Sequence, residues 1–185
     1  MRVLGIDPGS NVTGYGVLEV GRGEEGASSL AHVAHGNLQL PRGLSLPARL
    51  HRLYEAMLEV IDAHRPDIAA VEQIFVAASP RSALVLGQAR GVALAAMGAR
   101  GIVVTEYAPT HIKQAVAGSG HASKRQIQTV VRRLLALDSS PQADAADALA
   151  AAICHARAGR LQVLGVVGAR RRPRRAAQIN VRRQR

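Results

Sequence analysis

The fold is decided by residues 2–20, which read RVLGIDPGSNVTGYGVLEV. Residues 2–7 form a short apolar run that ends in an acid, and residues 8–11 have the composition of a turn. A second strand pattern runs from Thr13 to Val20, where Gly14 and Gly16 indicate either a sharp bend or the close approach of another segment. We therefore predict two antiparallel strands, with Asp7 at the end of the first.

The rest of the chain alternates between strand and helix patterns. An amphipathic helix begins near Leu46, and the apolar run at 67–72 lacks alternation, which indicates a strand covered on both faces. The other predicted elements are a strand at about 29–39, a helix from Ser82 to Met97, a strand from Ile102 to Tyr107, and helices at about 109–117, 123–137 and 144–157. This order predicts an α/β fold: a five-stranded mixed sheet, its first three strands antiparallel, flanked by helices.

Four acids stand out because the chain has only 13 Asp and Glu residues. Asp7 and Glu72 each end an apolar strand, and Asp144 and Asp147 share one face of the last helix. Carboxylates that converge repel one another unless a cation such as Mg²⁺ or Mn²⁺ binds between them, and a pair of such ions serves displacement at phosphorus. Taken singly, Asp7 could be a turn residue, Glu72 an ion-pair partner and Asp144 a helix N-cap.

The net charge of +11 indicates a polyanionic partner, nucleic acid above all. Residues 166–185 contain eight Arg and no acid, so this tail carries +8 of the +11. We expect one folded domain at residues 1–160 and a basic, disordered tail at residues 161–185 that binds phosphates without sequence preference. A tail that only adds solubility is the alternative.

The remaining composition favours a cytoplasmic protein. No apolar run reaches the about 18 residues that span a bilayer, and the chain opens directly on a strand pattern, so we expect no membrane span and no signal peptide. The single cysteine, Cys154, lies in an alanine-rich stretch and excludes an intrachain disulfide framework. We expect its thiol to be buried and inert.

Five segments in register resemble the RuvC family of Holliday junction resolvases, within the RNase H-like nuclease superfamily. They are LGIDPGS (4–10), VEQIF (71–75), LGQARG (86–91), IKQAVAG (112–118) and QADAADALA (142–150), and the likeness runs from residue 1 to about 157. The resemblance implies that Asp7, Glu72, Asp144 and Asp147 are the catalytic acids and bind Mg²⁺, with two ions per site and Mn²⁺ as a substitute. It also implies a homodimer that cuts a four-way DNA junction symmetrically, and a branch-migration motor as partner.

Four further residues are candidates for contact with DNA. Phe75, the only phenylalanine, follows the catalytic strand and suits a base wedge, although a core position is the alternative. Lys113 and Lys124 are the only lysines and fall where the resolvase pattern has basic residues near the scissile phosphate; solvated surface charge is the alternative. Arg81 is a phosphate-contact candidate in a loop that departs from the family pattern.

A row of small residues runs along the predicted helix from Ser82 to Met97. Ala83, Gly87 and Gly91 recur at every fourth position of a helix, which suits core packing or, given the resemblance, a helix pair across a dimer axis.

The leading function is a metal-dependent endonuclease for branched DNA. An RNase H-like nuclease that acts on RNA or hybrid, and a junction-binding module that does not cut, are the alternatives.

Overall fold

The structure, a computed structural model, describes residues 1–22, 28–41, 43–73 and 80–163. Within these ranges the chain forms five strands and five helices. They are β1 Arg2–Asp7, β2 Val12–Arg22, β3 Ser28–Gln39, α1 Leu46–His64, β4 Ile68–Glu72, α2 Pro80–Ala99, β5 Val103–Tyr107, α3 Pro109–Ala117, α4 Lys124–Leu134 and α5 Ala143–Val163. Each element lies where the sequence predicted one, with ends that differ by a few residues. α5 continues to Val163, three residues beyond the expected end of the folded domain.

The five strands form a single mixed sheet in the order β3-β2-β1-β4-β5. β1 pairs antiparallel with β2, and β2 with β3, whereas β1 and β5 both run parallel to β4. The predicted α/β fold with three antiparallel strands is therefore confirmed. The order makes β1 and β4 neighbours, so the strands that end in Asp7 and Glu72 run side by side.

Helices cover both faces of the sheet and form two separate cores. Neighbouring residues of β1 belong to different cores, because successive strand side chains point to opposite faces. Val3 packs among residues of α3, α4 and α5, whereas Leu4 packs among residues of α1 and α2. Asp7 and Glu72 have the same parity as Val3 and Ala70 and therefore face α5. Cys154 is fully buried, and burial raises the pKa of its thiol to about 12, as expected of an inert cysteine.

Three glycines let α5 lie unusually close to the sheet. A Cβ at Gly5 would overlap the carbonyl oxygen of Ala148, and a Cβ at Gly14 would overlap that of Asp144. Gly16 meets the side chain of Leu149 in the same way. Of the two readings of Gly14 and Gly16, close approach is the one that the structure shows. The helix is alanine-rich because little more than a methyl group fits in this contact.

The solvent face of α2 is mostly apolar and rich in small residues. Ala83, Gly87 and Gly91 are exposed, and nothing lies within 4 Å of a Cβ built at either glycine, so the core-packing interpretation of this row is wrong. Leu84 on the same helix is 70% exposed. In length and composition Ser82–Ala99 could cross a membrane, with 22% of that stretch buried, whereas the sequence predicted no membrane span. The opposite face carries Ala89, Ala93, Ala96 and Met97 into the core.

Candidate active site

Asp7 and Glu72 are brought together by the pairing of β1 with β4. Ile6 and Val71 are opposite each other in this parallel pair, and each is followed by the acid that ends its strand. Both carboxylates face α5, and both side chains are partly buried. The ends of parallel strands are where α/β folds collect functional groups, because side chains from separate parts of the chain meet there.

α5 adds two more acids over the ends of these strands. Asp144 lies in its first turn and Asp147 one turn further on. Asp7, Glu72 and Asp147 line one cavity of about 430 Å³, whereas Asp144 does not line it. The rest of the wall comprises Pro8, Gln73, Leu86, Pro109, Ile112, Lys113, Lys124, Ile127 and Ala150. The structure thus brings three of the four predicted acids, and both predicted lysines, to one place.

The charges of the four acids act on one another. Burial, followed by the charges of Asp147, Glu72 and Asp144, raises the pKa of Asp7 to about 7. Burial and then the charge of Asp147 also raise the pKa of Glu72. Asp144 is therefore close enough to affect Asp7 although it lies outside the cavity wall. In this state the charged form of Asp7 is disfavoured, and a nearby cation would relieve the repulsion.

Two lysines in the cavity wall supply positive charge. The Lys124 ammonium lies 3.2 Å from a carboxylate oxygen of Asp147, and its side chain is 75% exposed. Lys124 is the first residue of α4, whose start is fixed by Ser123 and Gln126 in a capping box. The charge of Asp147 raises the pKa of Lys124, and the charges of Lys113 and Lys124 oppose the rise in the pKa of Glu72.

The four acids have the chemistry that Mg²⁺ or Mn²⁺ requires. They offer only oxygen donors, which suit hard divalent cations, and the charges of the neighbouring acids add to the burial that raises the pKa of Asp7. Across the described ranges, no three His, Cys, Asp or Glu side chains are already placed to hold an ion. The Asp147 carboxylate is paired with the Lys124 ammonium instead.

The turn after Asp7 is held by hydrogen bonds from α1, which the sequence did not predict. Arg49 Nη2 donates to the carbonyl oxygen of Ser10 at 2.6 Å and to Oδ1 of Asn11 at 3.2 Å. The backbone N–H of Leu40 donates to the carbonyl oxygen of Asn11 at 2.9 Å. Arg49 is 38 residues from Asn11, and a helical arginine has no distinctive spacing, so no sequence signal marked it.

Two predicted DNA-contacting residues cannot be located at the cavity. Phe75 lies outside the described residues, as do the other residues of the range 74–79 between β4 and α2. Arg81 is the second residue of α2, near the cavity residue Leu86 in sequence, but its side chain is not described. Their assignment as DNA contacts stays a prediction.

The sequence matches the family model described as "Crossover junction endodeoxyribonuclease RuvC" over residues 3–155. A relative of that name from Alkalilimnicola ehrlichii is 54% identical over 154 residues, which cover 83% of this chain and 90% of the relative. A second, from Halorhodospira halophila, is 52% identical over 155 residues, which cover 84% of this chain and 89% of the relative.

The structure is similar to that of Thermus thermophilus RuvC solved in complex with a Holliday junction substrate. The TM-score is 0.80 at 34% sequence identity, over 88% of this chain and 96% of the other. The match of the family model and the identity to its members, over most of both chains, are sufficient to assign the family. The chain belongs to the RuvC family of crossover junction endodeoxyribonucleases.

Proposed function

We propose that this protein resolves four-way (Holliday) DNA junctions by paired, symmetric nicks, in homologous recombination and DNA repair. The observation that carries the proposal is the cavity in which acids from β1, β4 and α5 meet Lys113 and Lys124. Acids that would hold cations and lysines that would bind phosphate are the groups that phosphodiester hydrolysis needs. The junction-bound relative supports the choice of substrate.

In this proposal Asp7, Glu72, Asp144 and Asp147 hold Mg²⁺, two ions per site, with Mn²⁺ as a substitute. When bound, such ions activate the attacking water and stabilise the leaving 3′ oxygen. The protein's own part is to hold the four carboxylates on three rigid elements and to keep the turn after Asp7 fixed through Arg49. Lys113 and Lys124 bind the phosphate at the cavity mouth, where a compact and mobile ammonium can follow the strand.

Phe75 and Arg81 are assigned to the junction itself. Phe75 wedges between or stacks on bases at the centre of the junction, next to the strand that carries Glu72. Arg81 contacts a phosphate as the strand passes the start of α2. These two roles rest on the sequence position of the residues, since their side chains are not described.

The test is cleavage of a labelled four-way junction with Mg²⁺, with Mn²⁺ and with EDTA, beside the matching linear duplex and an RNA–DNA hybrid. We expect paired nicks at symmetric positions of the junction, in either metal but not in EDTA. Preferred cutting of the hybrid would instead indicate a nuclease for RNA, and tight junction binding without any cutting would indicate a binding module. Either result contradicts the proposal.

We further propose that the protein is a homodimer that pairs through α2. The exposed face of this helix is mostly small and apolar, with Gly87, Gly91 and Leu84 among its residues, so two copies can approach closely there. A dimer would place two active sites on one junction, which paired nicks require. It would also cover the surface that gives α2 the composition of a membrane span.

The substitution Gly87→Glu is expected to convert the dimer to a monomer. A Cβ at Gly87 meets nothing within 4 Å, so the fold accepts the new side chain, whereas a buried charge at the interface is unfavourable. Sedimentation should show half the mass, and paired nicking should fall together with it. Ala63→Glu adds the same charge to an exposed position of α1 and should leave the dimer intact. A dimeric Gly87→Glu protein would exclude this interface.

We propose that residues 1–160 are the nuclease domain and residues 161–185 a phosphate-binding tail. Deleting residues 166–185 removes eight Arg and should weaken binding to junction and duplex alike. Each lost phosphate contact lowers the slope of log affinity against log salt by about 0.9. Binding measured from 50 to 200 mM salt should therefore show a shallower slope. Replacing the eight Arg by Gln keeps the length and should have the same effect, whereas a loss confined to junctions would show that the tail recognises branching.

The family resemblance also supports a proposal about the cellular location and the partner of this protein. The enzyme would act in the cytoplasm, where the chromosome lies, together with a branch-migration motor complex that supplies the junction. Co-purification of the protein with such a motor on junction DNA, but not on duplex, is the result expected.

A further inference from the structure

A long-range hydrogen bond joins the start of α5 to the edge strand β3. Asn37 Nδ2, on β3, donates to Oε1 of Gln142 at 2.6 Å. Gln142 directly precedes α5, and its carbonyl oxygen accepts from the N–H of Ala146 at 2.8 Å, so it is already part of the helix ladder. The two partners are 105 residues apart.

The strand register puts this bond in the same row as the candidate catalytic acids. Asp7 is opposite Gly14 in the β1–β2 pair, and Gly14 is opposite Asn37 in the β2–β3 pair. Residues that are opposite each other on neighbouring strands point to the same face, so Asp7 and Asn37 both face α5. Gly14 lies between them without a side chain, and the carbonyl of Asp144 fills that gap. The first turn of α5 therefore rests between Asp7 and Asn37.

Contacts on opposite sides thus fix the position of Asp144. The backbone of Asp144 rests on Gly14, and two residues earlier Gln142 is held by Asn37. The residue before it, Pro141, accepts a hydrogen bond from Gln128 Nε2 at 3.3 Å. With the Asn37 bond removed, the first turn keeps its contact with the sheet but loses its lateral restraint, because a helix terminus frays readily.

Asn37 also carries a feature that favours a functional role over a stabilising one. Its Oδ1 is buried and has no hydrogen-bond partner among the described residues. A buried acceptor without a partner lowers stability, which offsets part of the stabilisation gained from the bond to Gln142. A small net contribution of Asn37 to the stability of the fold is consistent with a role in positioning α5.

We propose that Asn37 and Gln142 are positioning residues that hold the first turn of α5, and with it the Asp144 carboxylate, in place for binding the divalent cation. The inference rests on the proposed function, since it assigns Asp144 to the cation site. Partners outside the ligand set commonly change metal affinity by about 10–100-fold, and a pair that acts through the backbone should have a smaller effect, about 5-fold. Neither residue contacts the reacting atoms.

The test is direct Mn²⁺ binding to the DNA-free full-length protein, measured by electron paramagnetic resonance, for wild type and Asn37→Ala. We expect the dissociation constant for Mn²⁺ to rise about 5-fold, and the Mg²⁺ concentration for half-maximal junction cleavage to rise in parallel. The urea midpoint and the affinity for the junction should stay close to those of wild type. Gln39→Ala is the matched control, because Gln39 lies two residues along β3 and forms no hydrogen bond to the described residues of α5.

A reciprocal exchange tests the geometry of the pair. Asn37→Gln lengthens one partner by a methylene and Gln142→Asn shortens the other, so each single variant should weaken Mn²⁺ binding while the double variant restores it. Unchanged Mn²⁺ affinity in Asn37→Ala, from a wild-type protein that cuts junctions, overturns the inference alone. No rescue in the double variant also overturns it. A wild-type protein that neither binds Mn²⁺ nor cuts junctions overturns the proposed function and this inference together.

Discussion

Asp7→Asn is expected to abolish junction cleavage while junction binding persists. Asp7 ends β1 at the centre of the acid cluster, and every other acid of the cluster acts on it. The amide keeps the size of the carboxylate but removes a charged ligand for the cation. Loss of about 4 kcal/mol of transition-state stabilisation corresponds to a rate about a thousandfold lower. Binding depends on lysines, arginines and the tail, which the substitution does not touch. Single-turnover cleavage and a gel-shift titration measure the two properties separately.

Asp138→Asn is the control for this substitution. Asp138 is exposed and lies before the start of α5, outside the cavity, so the variant should cut junctions like the wild type. Asp7→Asn that still cuts at the wild-type rate would exclude Asp7 from the site. Equal loss of binding and cleavage would show instead that the substitution damages the fold, and circular dichroism of the same samples distinguishes these cases.

The sequence predicted the acids because each one interrupts a strong apolar pattern. Val3 to Ile6 and Ile68 to Val71 are runs that fill cores, so an acid at the end of each is conspicuous. Their meeting point depended on whether β1 and β4 pair, which local periodicity does not encode. The sheet order answers this, and the parallel register makes the two acids neighbours.

The Asn37–Gln142 hydrogen bond and the orientation of α2 could not be predicted from sequence periodicity. The bond between Asn37 and Gln142 joins residues 105 apart, and only the combined register of β1, β2 and β3 reveals that it borders the acid cluster. The orientation of α2 was equally hidden, because alanine and glycine occur on both its faces and give no amphipathic pattern. The sequence of the row Ala83, Gly87 and Gly91 is therefore compatible with core packing and with a dimer surface alike.

Asp7→Asn is also expected to stabilise the metal-free protein, increasingly so as the pH rises. The pKa of Asp7 is about 7 in the folded state, against 3.8 for the unperturbed group. Between these values the folded state holds a proton that the unfolded state has lost, so wild-type stability falls as the pH rises through this range and is lowest above pH 7. Asn does not titrate. The difference in unfolding free energy should grow by about 3 kcal/mol between pH 5 and pH 8, at about 1.36 kcal/mol per pH unit up to pH 7.

Urea unfolding in EDTA, at pH 5 and pH 8, measures this difference, with Asp138→Asn as the variant that should follow the wild type at both values. Adding Mg²⁺ should reverse the order, because a ligand that binds only the folded state stabilises the protein that binds it. Wild type should then gain stability at pH 8, whereas Asp7→Asn should gain little. Parallel stability curves for the two proteins in EDTA would mean that burial and the neighbouring acids do not disfavour the charged form of Asp7. The charged Asp7 carboxylate would then cost little without a cation, and the main physical reason to assign the cation to this cluster would be lost.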